Sequence, residues 1–262
     1  VAKLDSSGNW LWAKNAGGID CDEGQSIAVD ANGNSYVTGY FSDSATFGST
    51  TLTSSGGNDI FIAKLDSSGN WLWAKKAGGT SGDYVNGIAV DASGNSYVTG
   101  YFNTSATFGS ATLASSGSYD IFVAKLDSSG NWLWAKNAGG TDYDCGNSIA
   151  VDASGNIYVT GGFEGTATFG STTLTSNGDS DIFIAKLDSS GNWLGATKTG
   201  GTDTVVSYGI AVDASGNNYV TGFFYRTATF GPTTLTSSGS ADIFVAKVHI
   251  PYYPEGVSIV EE

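Results

Sequence analysis

Apolar and polar residues alternate with a period of two over several short stretches of this chain. Residues 87–91 and 96–102 are two such stretches, and the loop between them contains Gly94. Short alternating runs bounded by Gly, Asn, Asp and Ser are typical of β-strands joined by hairpin turns. A second hairpin is predicted over residues 59–66 and 71–77. No stretch has the 3.6-residue periodicity of a helix, so an all-β chain is predicted.

The same pattern returns at a fixed interval. The string Lys-Leu-Asp-Ser-Ser-Gly-Asn-Trp-Leu recurs every 61 residues, beginning at Lys3, Lys64, Lys125 and Lys186. A constant period of this kind indicates one supersecondary unit that is repeated, with each copy covering the apolar face of its neighbour. We therefore predict one array over residues 1–248, with units at about 22–78, 84–138, 144–198 and 205–248 plus 8–17. Residues 249–262 leave the pattern and are interpreted as a linker or the start of a following segment.

Each unit contains four predicted strands, which we name a, b, c and d. In one unit they begin near Ile88, Tyr97, Ile121 and Trp132, and residues 106–117 between b and c can add a small hairpin. Strands c and d are apolar on both faces, and a sheet that is buried on both sides needs a layer above and below it. Four short antiparallel strands per unit, stacked in this way, predict the blades of a β-propeller.

The two ends of the array leave its closure open. Residues 1–5 and 10–16 correspond to parts of strands c and d, whereas the last unit, 209–248, supplies a, b and c without d. The N-terminal d strand can complete the last blade and close a ring of four blades. The chain can also be part of a larger propeller, or donate its strand to a neighbouring subunit and so form a filament. The duplicated c strand weighs against the simple closed ring.

A family resemblance rests on two of these strings. Residues 91–100 (Asp-Ala-Ser-Gly-Asn-Ser-Tyr-Val-Thr-Gly), followed by residues 120–136, resemble the bacterial β-propeller repeat called SBBP and, more distantly, NHL-type blades. The resemblance extends over essentially residues 1–248. It implies a secreted or cell-surface bacterial protein whose repeats act as a scaffold, and it implies no enzymatic activity.

Charge and composition exclude several classes of partner. The 262 residues include 25 acidic and 11 basic side chains, a net charge of −14, so a nucleic acid backbone would be repelled. No apolar run is long enough for a transmembrane helix, and membrane insertion is not expected. The first residue, Val1, is expected to be a processed start.

The chain is predicted not to be an enzyme. Its single histidine, His249, lies outside the array, so neither a Ser-His-Asp or Cys-His arrangement nor a histidine metal cluster can be assembled. No cofactor is expected.

The two faces of the array differ in variability. Because successive strands alternate in direction, the a–b and c–d turns share one face, and the b–c and d–a loops share the other. The first face is nearly constant, whereas the d–a loops differ between copies. Since variable loops on a rigid scaffold often bind partners, we predict a partner-binding face there. Drift in loops that contact nothing is the alternative. The residues predicted for this face are Asp22, Asp83, Tyr84, Tyr143, Asp144 and Tyr208.

Calcium is the one cation worth considering. The repeated Asp-x-Ser-Gly-Asn turns resemble the start of a calcium loop, but they lack further carboxylates, so capping of the hairpin by hydrogen bonds is the preferred interpretation. A second candidate is a set of acidic residues in the d–a loops, for which solvated carboxylates are the simpler explanation. We expect millimolar calcium to raise the melting temperature little. The acidic candidates are Asp20, Asp22, Glu23, Asp142 and Asp144.

Tryptophan and cysteine residues also suggest roles. The paired Trp residues of strand d can stack on sugars, but their place in a strand that is apolar on both faces favours packing between blades. Cys21 and Cys145 lie in corresponding loops of the first and third copies. In a small ring of four blades a disulfide between them is one interpretation, and two free thiols is the other.

These observations lead to three functional hypotheses. The first is a non-enzymatic structural or adhesive scaffold, outside the cell or on its surface, that binds a protein or glycan. The second is a multivalent lectin in which each blade offers a similar weak site. The third is a subunit of an extracellular filament that self-assembles by strand donation.

Overall fold

The computed structural model describes residues 1–250, and all of their regular structure is β-strand. The predicted segment 249–262 therefore lies almost entirely outside the described residues. The fold begins with a short hairpin of β1 (Ala2–Leu4) and β2 (Trp10–Ala13). Four sheets follow in chain order, and we call them blades 1 to 4.

The strand boundaries repeat from blade to blade. Blade 1 contains β3 (Asp22–Val29), β4 (Ser35–Phe41), β5 (Ser44–Phe47), β6 (Thr50–Thr53), β7 (Asp59–Leu65) and β8 (Trp71–Ala77). Blade 2 contains β9 (Tyr84–Val90), β10 (Ser96–Phe108), β11 (Ala111–Leu126) and β12 (Trp132–Ala138). Blade 3 contains β13 (Asp144–Val151), β14 (Ile157–Phe163), β15 (Thr166–Phe169), β16 (Thr172–Thr175), β17 (Asp181–Leu187) and β18 (Trp193–Thr199). Blade 4 contains β19 (Val205–Val212), β20 (Asn218–Phe230) and β21 (Thr233–Val248).

Each sheet is antiparallel; blades 1 to 3 follow the order a-b-c-d, and blade 4 has the order a-b-c. Blade 2, for example, has the order β9-β10-β11-β12, and Thr99 of its b strand lies between Gly87 of strand a and Val123 of strand c. The register shifts between Thr99 and Gly100. A Cβ at position 100 would lie 2.0 Å from the carbonyl oxygen of Tyr84, so the irregularity requires glycine.

The core lies between consecutive blades. Strand c is buried on both faces in blades 1 to 3, as its two-faced apolar pattern predicts, and β7 is buried along its whole length. The same prediction is wrong for strand d, where Leu72 and Leu133 are more than half exposed. Ile60 and Ile62 of blade 1 pack in one cluster with Val85, Ile88 and Val98 of blade 2. Neighbouring blades therefore bury each other's apolar faces.

The Thr-rich stretch between strands b and c forms the small hairpin that the sequence suggests. In blades 1 and 3 it consists of separate short strands, and in blades 2 and 4 it continues strands b and c. Its tip pairs with the end of the preceding blade, as Thr107 does with Gly78. The b–c hairpin of one blade thus meets the d–a loop that leads into it, and the two lie on the same face.

The array does not form a closed sheet. Strand β2 pairs with β1, and β21 pairs with β20 alone within residues 1–250. The pairing of residues 10–16 with the last blade, which a ring of four blades requires, is therefore absent. Instead, the hairpin β1-β2 packs against blade 1, where Trp12 contacts the cluster around Phe41 and Phe47.

Candidate partner-binding face

The constant face consists of eight similar turns. In the turn of blade 2, Oδ1 of Asp127 accepts hydrogen bonds from the backbone N–H groups of Ser129 and Asn131 at 2.9 and 2.8 Å. Its Oδ2 accepts a third, at 2.8 Å, from the side-chain amide of Asn131. These bonds lower the pKa of the Asp127 carboxyl group. Both oxygens thus serve the turn itself, in agreement with the capping interpretation.

The tryptophans of strand d pack against protein. The indole N–H of Trp73 donates to the carbonyl oxygen of Ser128 in the next blade at 3.2 Å, and its ring lies edge-on to Tyr36, 6.1 Å between centroids. The other tryptophan of the strand, Trp71, packs edge-on against Phe47 of its own blade at 5.3 Å. The prediction of packing between blades thus holds for the second Trp of each pair, whereas Trp71, Trp132 and Trp193 pack within their own blades. Trp10 is 70% exposed.

On the opposite face, two residues predicted to contact partners are inaccessible. Asp83 and Asp144 are fully buried. Asp83 accepts a hydrogen bond from the N–H of Gly79, and Asp144 accepts one from Gly140, both at 2.7 Å. The equivalent Asp22 is half-buried and accepts from Gly18 at 2.6 Å. The assignment of Asp83 and Asp144 to a binding surface is therefore wrong, because their carboxylates close the d–a loop from inside.

The acidic candidates for a cation do not come together. Asp20 and Glu23 are exposed in the loop that enters blade 1, whereas Asp142 is exposed in the loop that enters blade 3. Among the described residues no three His, Cys, Asp or Glu side chains are grouped as metal ligands would be.

Cys21 and Cys145 are both free thiols in the structure. They belong to the loops that enter blades 1 and 3, and blade 2 lies between them. Burial, the largest cause, raises the pKa of the Cys145 thiol to about 11.

A set of buried charges at the blade junctions was missed by the sequence analysis. Each junction combines an Asp at the start of strand c, a residue in strand d and a residue that opens the next blade. Junction 1/2 contains Asp59, Lys76 and Asp83; junction 2/3 contains Asp120, Asn137 and Asp144; junction 3/4 contains Asp181, Lys198 and Val205. The signal was available, since an Asp before Ile-Phe recurs every 61 residues.

The two carboxylates of junction 2/3 face each other across Gly139. One Asp120 oxygen and one Asp144 oxygen each lie within 3.0 Å of the point that a Cβ on Gly139 would occupy. Oδ1 of each carboxylate is buried without a hydrogen-bond partner. Burial first, and then the charge of Asp120, raises the pKa of Asp144 to about 7. In junction 1/2 burial likewise raises the pKa of Asp83 to about 7.

Five tyrosines form a continuous cluster on the variable face. Tyr84 stacks on Tyr101 with 5.1 Å between ring centroids, and Tyr40 lies edge-on to Tyr84 at the same distance. Tyr119 and Tyr143 each lie within 5.6 Å of Tyr101 and of each other. All five side chains are half-buried. The cluster spans blades 1 to 3 and contains two residues of the predicted face, Tyr84 and Tyr143.

The remaining predicted residue, Tyr208, lies elsewhere. It belongs to β19 of blade 4, where its ring is 5.7 Å from Phe223 and the residue is 65% exposed. It does not join the tyrosine cluster.

Acidic side chains surround one end of this cluster. Glu164 is half-buried beside Tyr143, whose carbonyl oxygen accepts its backbone N–H at 3.2 Å. Burial first, and then the charges of Asp142 and Asp179, raise the pKa of Glu164. The variable face thus combines aromatic rings with negative charge near Tyr143.

Comparison with protein families agrees with this repeated architecture. Three segments, residues 12–40, 72–103 and 133–161, match the beta-propeller repeat SBBP. The chain carries SBBP repeats. Each matched segment runs from strand d of one blade, through the d–a loop, to strand b of the next.

Two curated relatives are much longer than this chain. An uncharacterized WD repeat-containing protein, L264, of Acanthamoeba polyphaga mimivirus is 28% identical over 87% of this chain and 20% of its own length. The regulatory protein FlaEY of Caulobacter vibrioides is 27% identical over 59% of this chain and 17% of its own length. The SBBP chain thus spans a fifth or less of these relatives.

Among solved structures, a protein of unknown function from Bacteroides caccae superposes with a TM-score of 0.47 at 12% identity, covering 97% of this chain and 69% of the other. Within residues 1–250 of the SBBP chain, no helix is long and apolar enough to cross a membrane.

Proposed function

We propose that this SBBP-repeat protein is a non-enzymatic interaction scaffold and that the tyrosine cluster of blades 1 to 3 is its contact surface for a protein partner. The observation that carries the proposal is the convergence of copy-specific residues. Four nearly identical units place different residues at the same positions, and the tyrosines that differ between units meet in one place.

The fold itself does not need these tyrosines. The position of Tyr40 and Tyr101 is occupied by Gly162 in blade 3 and Phe223 in blade 4. Tyr119 corresponds to Asn58, Ser180 and Ala241 in the other units. All these blades share the antiparallel order a-b-c, so the tyrosines are not required for these strands to form. Residues that neither build the core nor repeat are therefore available for binding.

The chemistry of the cluster suits a protein contact. Tyrosine offers a large contact area, loses little conformational entropy and carries a hydroxyl group, and it is enriched in the cores of interfaces. The packing of Tyr84, Tyr101 and Tyr143 against one another holds their rings in place before a partner arrives, which reduces the entropic cost of binding.

A lectin is the second candidate, because aromatic rings also stack on sugars. A random-peptide display library and a glycan array, probed with the same purified chain, separate the two. We expect selected peptides to bind the wild type and to lose at least about tenfold in affinity with Tyr101→Ser or Tyr143→Ser. Tyr208→Ser, which removes an exposed tyrosine from blade 4, is the matched control and should leave binding unchanged.

Two results would contradict the proposal. Peptide binding that is indifferent to both cluster substitutions would place the contact surface elsewhere. Glycan binding that is lost with the same substitutions, in the absence of peptide binding, would favour the lectin.

We extend the proposal to an extracellular or cell-surface location, in keeping with the family resemblance, and to a structural or adhesive role without cofactor, nucleic acid or membrane insertion. The net charge of −14 supports the exclusion of nucleic acid. Protease treatment of intact source cells tests the location, since a surface protein is digested and an internal one survives.

We also propose that the open array is completed by a further blade surface. Uncovered apolar residues at both ends of the array support this.

A further inference from the structure

The last blade presents an uncovered apolar face. Ile243 and Val245 of β21 are 83% and 74% exposed. Their equivalents in the other three blades are fully buried, because the following blade covers them; these are Ile60 and Ile62, Ile121 and Val123, and Ile182 and Ile184. Equivalent apolar side chains are therefore buried in blades 1 to 3 and exposed in blade 4.

The first blade exposes the complementary surface. Ile27 and Val29 of β3 are 53% and 61% exposed, whereas Ile88, which occupies the position of Ile27 in blade 2, is only 7% exposed. Ile88 is buried in the cluster that contains Ile60 and Ile62. One molecule thus carries the two halves of a single type of interface at its opposite ends.

Strand pairing is also unsatisfied at these ends. The outer edge of β21 has no strand partner within residues 1–250, although its equivalents β7, β11 and β17 each pair with a d strand. A d strand exists in β2, which now holds β1 through three residue pairs. An unpaired edge strand next to an exposed apolar face is a site where another strand can pair.

The repeat also fixes the register of the missing pairing. In blade 2, Ile121 lies opposite Ala138, and Val123 lies opposite Lys136. Two periods of 61 residues later in the chain, Ile121 and Val123 correspond to Ile243 and Val245. Two periods earlier, Ala138 and Lys136 correspond to Ala16 and Lys14. The missing pairing therefore places Ile243 opposite Ala16 and Val245 opposite Lys14.

We propose that two copies of this chain associate head to tail, with β2 of the second copy displacing its own β1 and pairing with β21 of the first. Blade 4 of the first copy thereby gains its d strand. Blade 1 of the second copy then covers Ile243 and Val245 with Ile27 and Val29. Because the two surfaces differ, the contact is heterologous and repeats along a growing chain of subunits.

The structure favours β2 of a second copy, and not β2 of the same chain, as the strand that pairs with β21. In the structure β2 belongs to the hairpin on blade 1, where the indole N–H of Trp12 donates to the carbonyl oxygen of Ser67 at 3.2 Å. That contact repeats the one between Trp73 and Ser128, so β2 already occupies the position of a d strand that precedes blade 1. A second copy can supply strands a, b and c of that preceding blade without moving β2 away from blade 1.

Disulfide trapping tests the register and the number of chains together. Ala16→Cys and Ile243→Cys are introduced separately into the Cys21→Ser, Cys145→Ser background, and the two purified variants are mixed and oxidised. Residues opposite each other on antiparallel strands are within disulfide reach, so we expect a mixed dimer on non-reducing gels. Leu133→Cys in place of Ile243→Cys is the control and should give none.

Placing both cysteines in one chain distinguishes the outcomes. A ladder of covalent oligomers supports the proposal. A compact monomer that is cross-linked within itself would overturn it in favour of ring closure, and the absence of any cross-link in both formats would also overturn it.

A substitution on the exposed face gives an independent measurement. We expect the mass of the wild type in sedimentation experiments to increase with concentration. Ile243→Glu should remove this dependence without unfolding the monomer, because the side chain is exposed there. Leu133→Glu, also at an exposed apolar position, should associate as the wild type does. A wild type that stays monomeric up to about 100 µM, well above the dissociation constant of a micromolar contact, would contradict the proposal.

Discussion

Junctions 2/3 and 3/4 share one backbone arrangement and balance charge differently. In junction 2/3, Asp120 and Asp144 are both fully buried, and Asn137 occupies the position of a lysine. In junction 3/4, Lys198 forms an ion pair with the buried Asp181 at 3.1 Å, and the fully buried Val205 replaces the second carboxylate.

The difference shows that the loop geometry does not depend on the second carboxylate. Asp144 accepts the N–H of Gly140 in one junction, whereas an apolar side chain fills the same place in the other. Charge at this position is therefore a property of the individual copy. Two buried carboxylates without a neighbouring cation lower the stability of the fold. Proton binding should therefore stabilise junction 2/3 and leave the stability of junction 3/4 unchanged.

The largest effect is expected from breaking the ion pair of junction 3/4. Lys198→Ala leaves Asp181 buried without its partner, and we expect the free energy of unfolding to fall by about 2 kcal/mol, less than for a fully buried pair because the lysine side chain is partly exposed. Chemical denaturation at pH 7 measures this. Lys136→Ala, in the d strand of blade 2, is the control, and an equal loss there would show that the ion pair contributes nothing specific.

The next effect is a dependence of stability on pH that originates in junctions 1/2 and 2/3. The pKa values of Asp83 and Asp144 are raised to about 7 in the folded protein, above the ordinary value of 3.8, so the folded state binds these protons more tightly than the unfolded state. The free energy of unfolding should therefore rise as the pH falls from about 8 to about 4.

Below about pH 4 the trend should reverse, because the turn aspartates have lowered pKa values and lose their hydrogen bonds when protonated. Asp144→Asn should reduce the slope between pH 8 and pH 4, leave the contribution of Asp83, and leave the acid limb in place. A variant whose curve coincides with that of the wild type would exclude Asp144 as a source.

A smaller gain is expected when junction 2/3 receives the lysine of its neighbours. Asn137→Lys places an ammonium group where Lys76 lies 3.2 Å from Asp59 in junction 1/2. We expect stability at pH 8 to increase by about 1 kcal/mol, and by less at pH 5, where Asp144 already carries a proton. Thermal denaturation at the two pH values measures the change. A loss at pH 8 would mean that the lysine cannot adopt this geometry here.

The smallest difference between blades is expected at the c–d turns, where the copies have the same sequence. Asp127→Ala and Asp188→Ala remove the same set of hydrogen bonds from blades 2 and 3, so both should lower the melting temperature slightly and by equal amounts. Unequal losses would indicate that the blades differ in stability for reasons other than the junctions.

Much of the candidate site was accessible from the sequence, but not its arrangement. The variable d–a loops were recognised, and Tyr84 and Tyr143 were singled out. Their contacts with Tyr40, Tyr101 and Tyr119 were missed, because these residues lie in strands b and c and not in the d–a loops, and the cluster forms only when blades stack. Asp83 and Asp144 were placed on the surface for a related reason: a charged residue in a loop is usually solvated, and these two are turned inward by a hydrogen bond.

The sequence by itself determined the repeating unit. The period of 61 residues, the four strands with their alternating side chains and the eight Asp-Asn turns are local properties, and each follows from residues close together in the chain. Tertiary structure alone decided which carboxylates are buried, which tyrosines touch and whether the ends meet. These depend on the packing of one blade against the next, where residues 61 positions apart become neighbours and the first and last copies lack one of theirs.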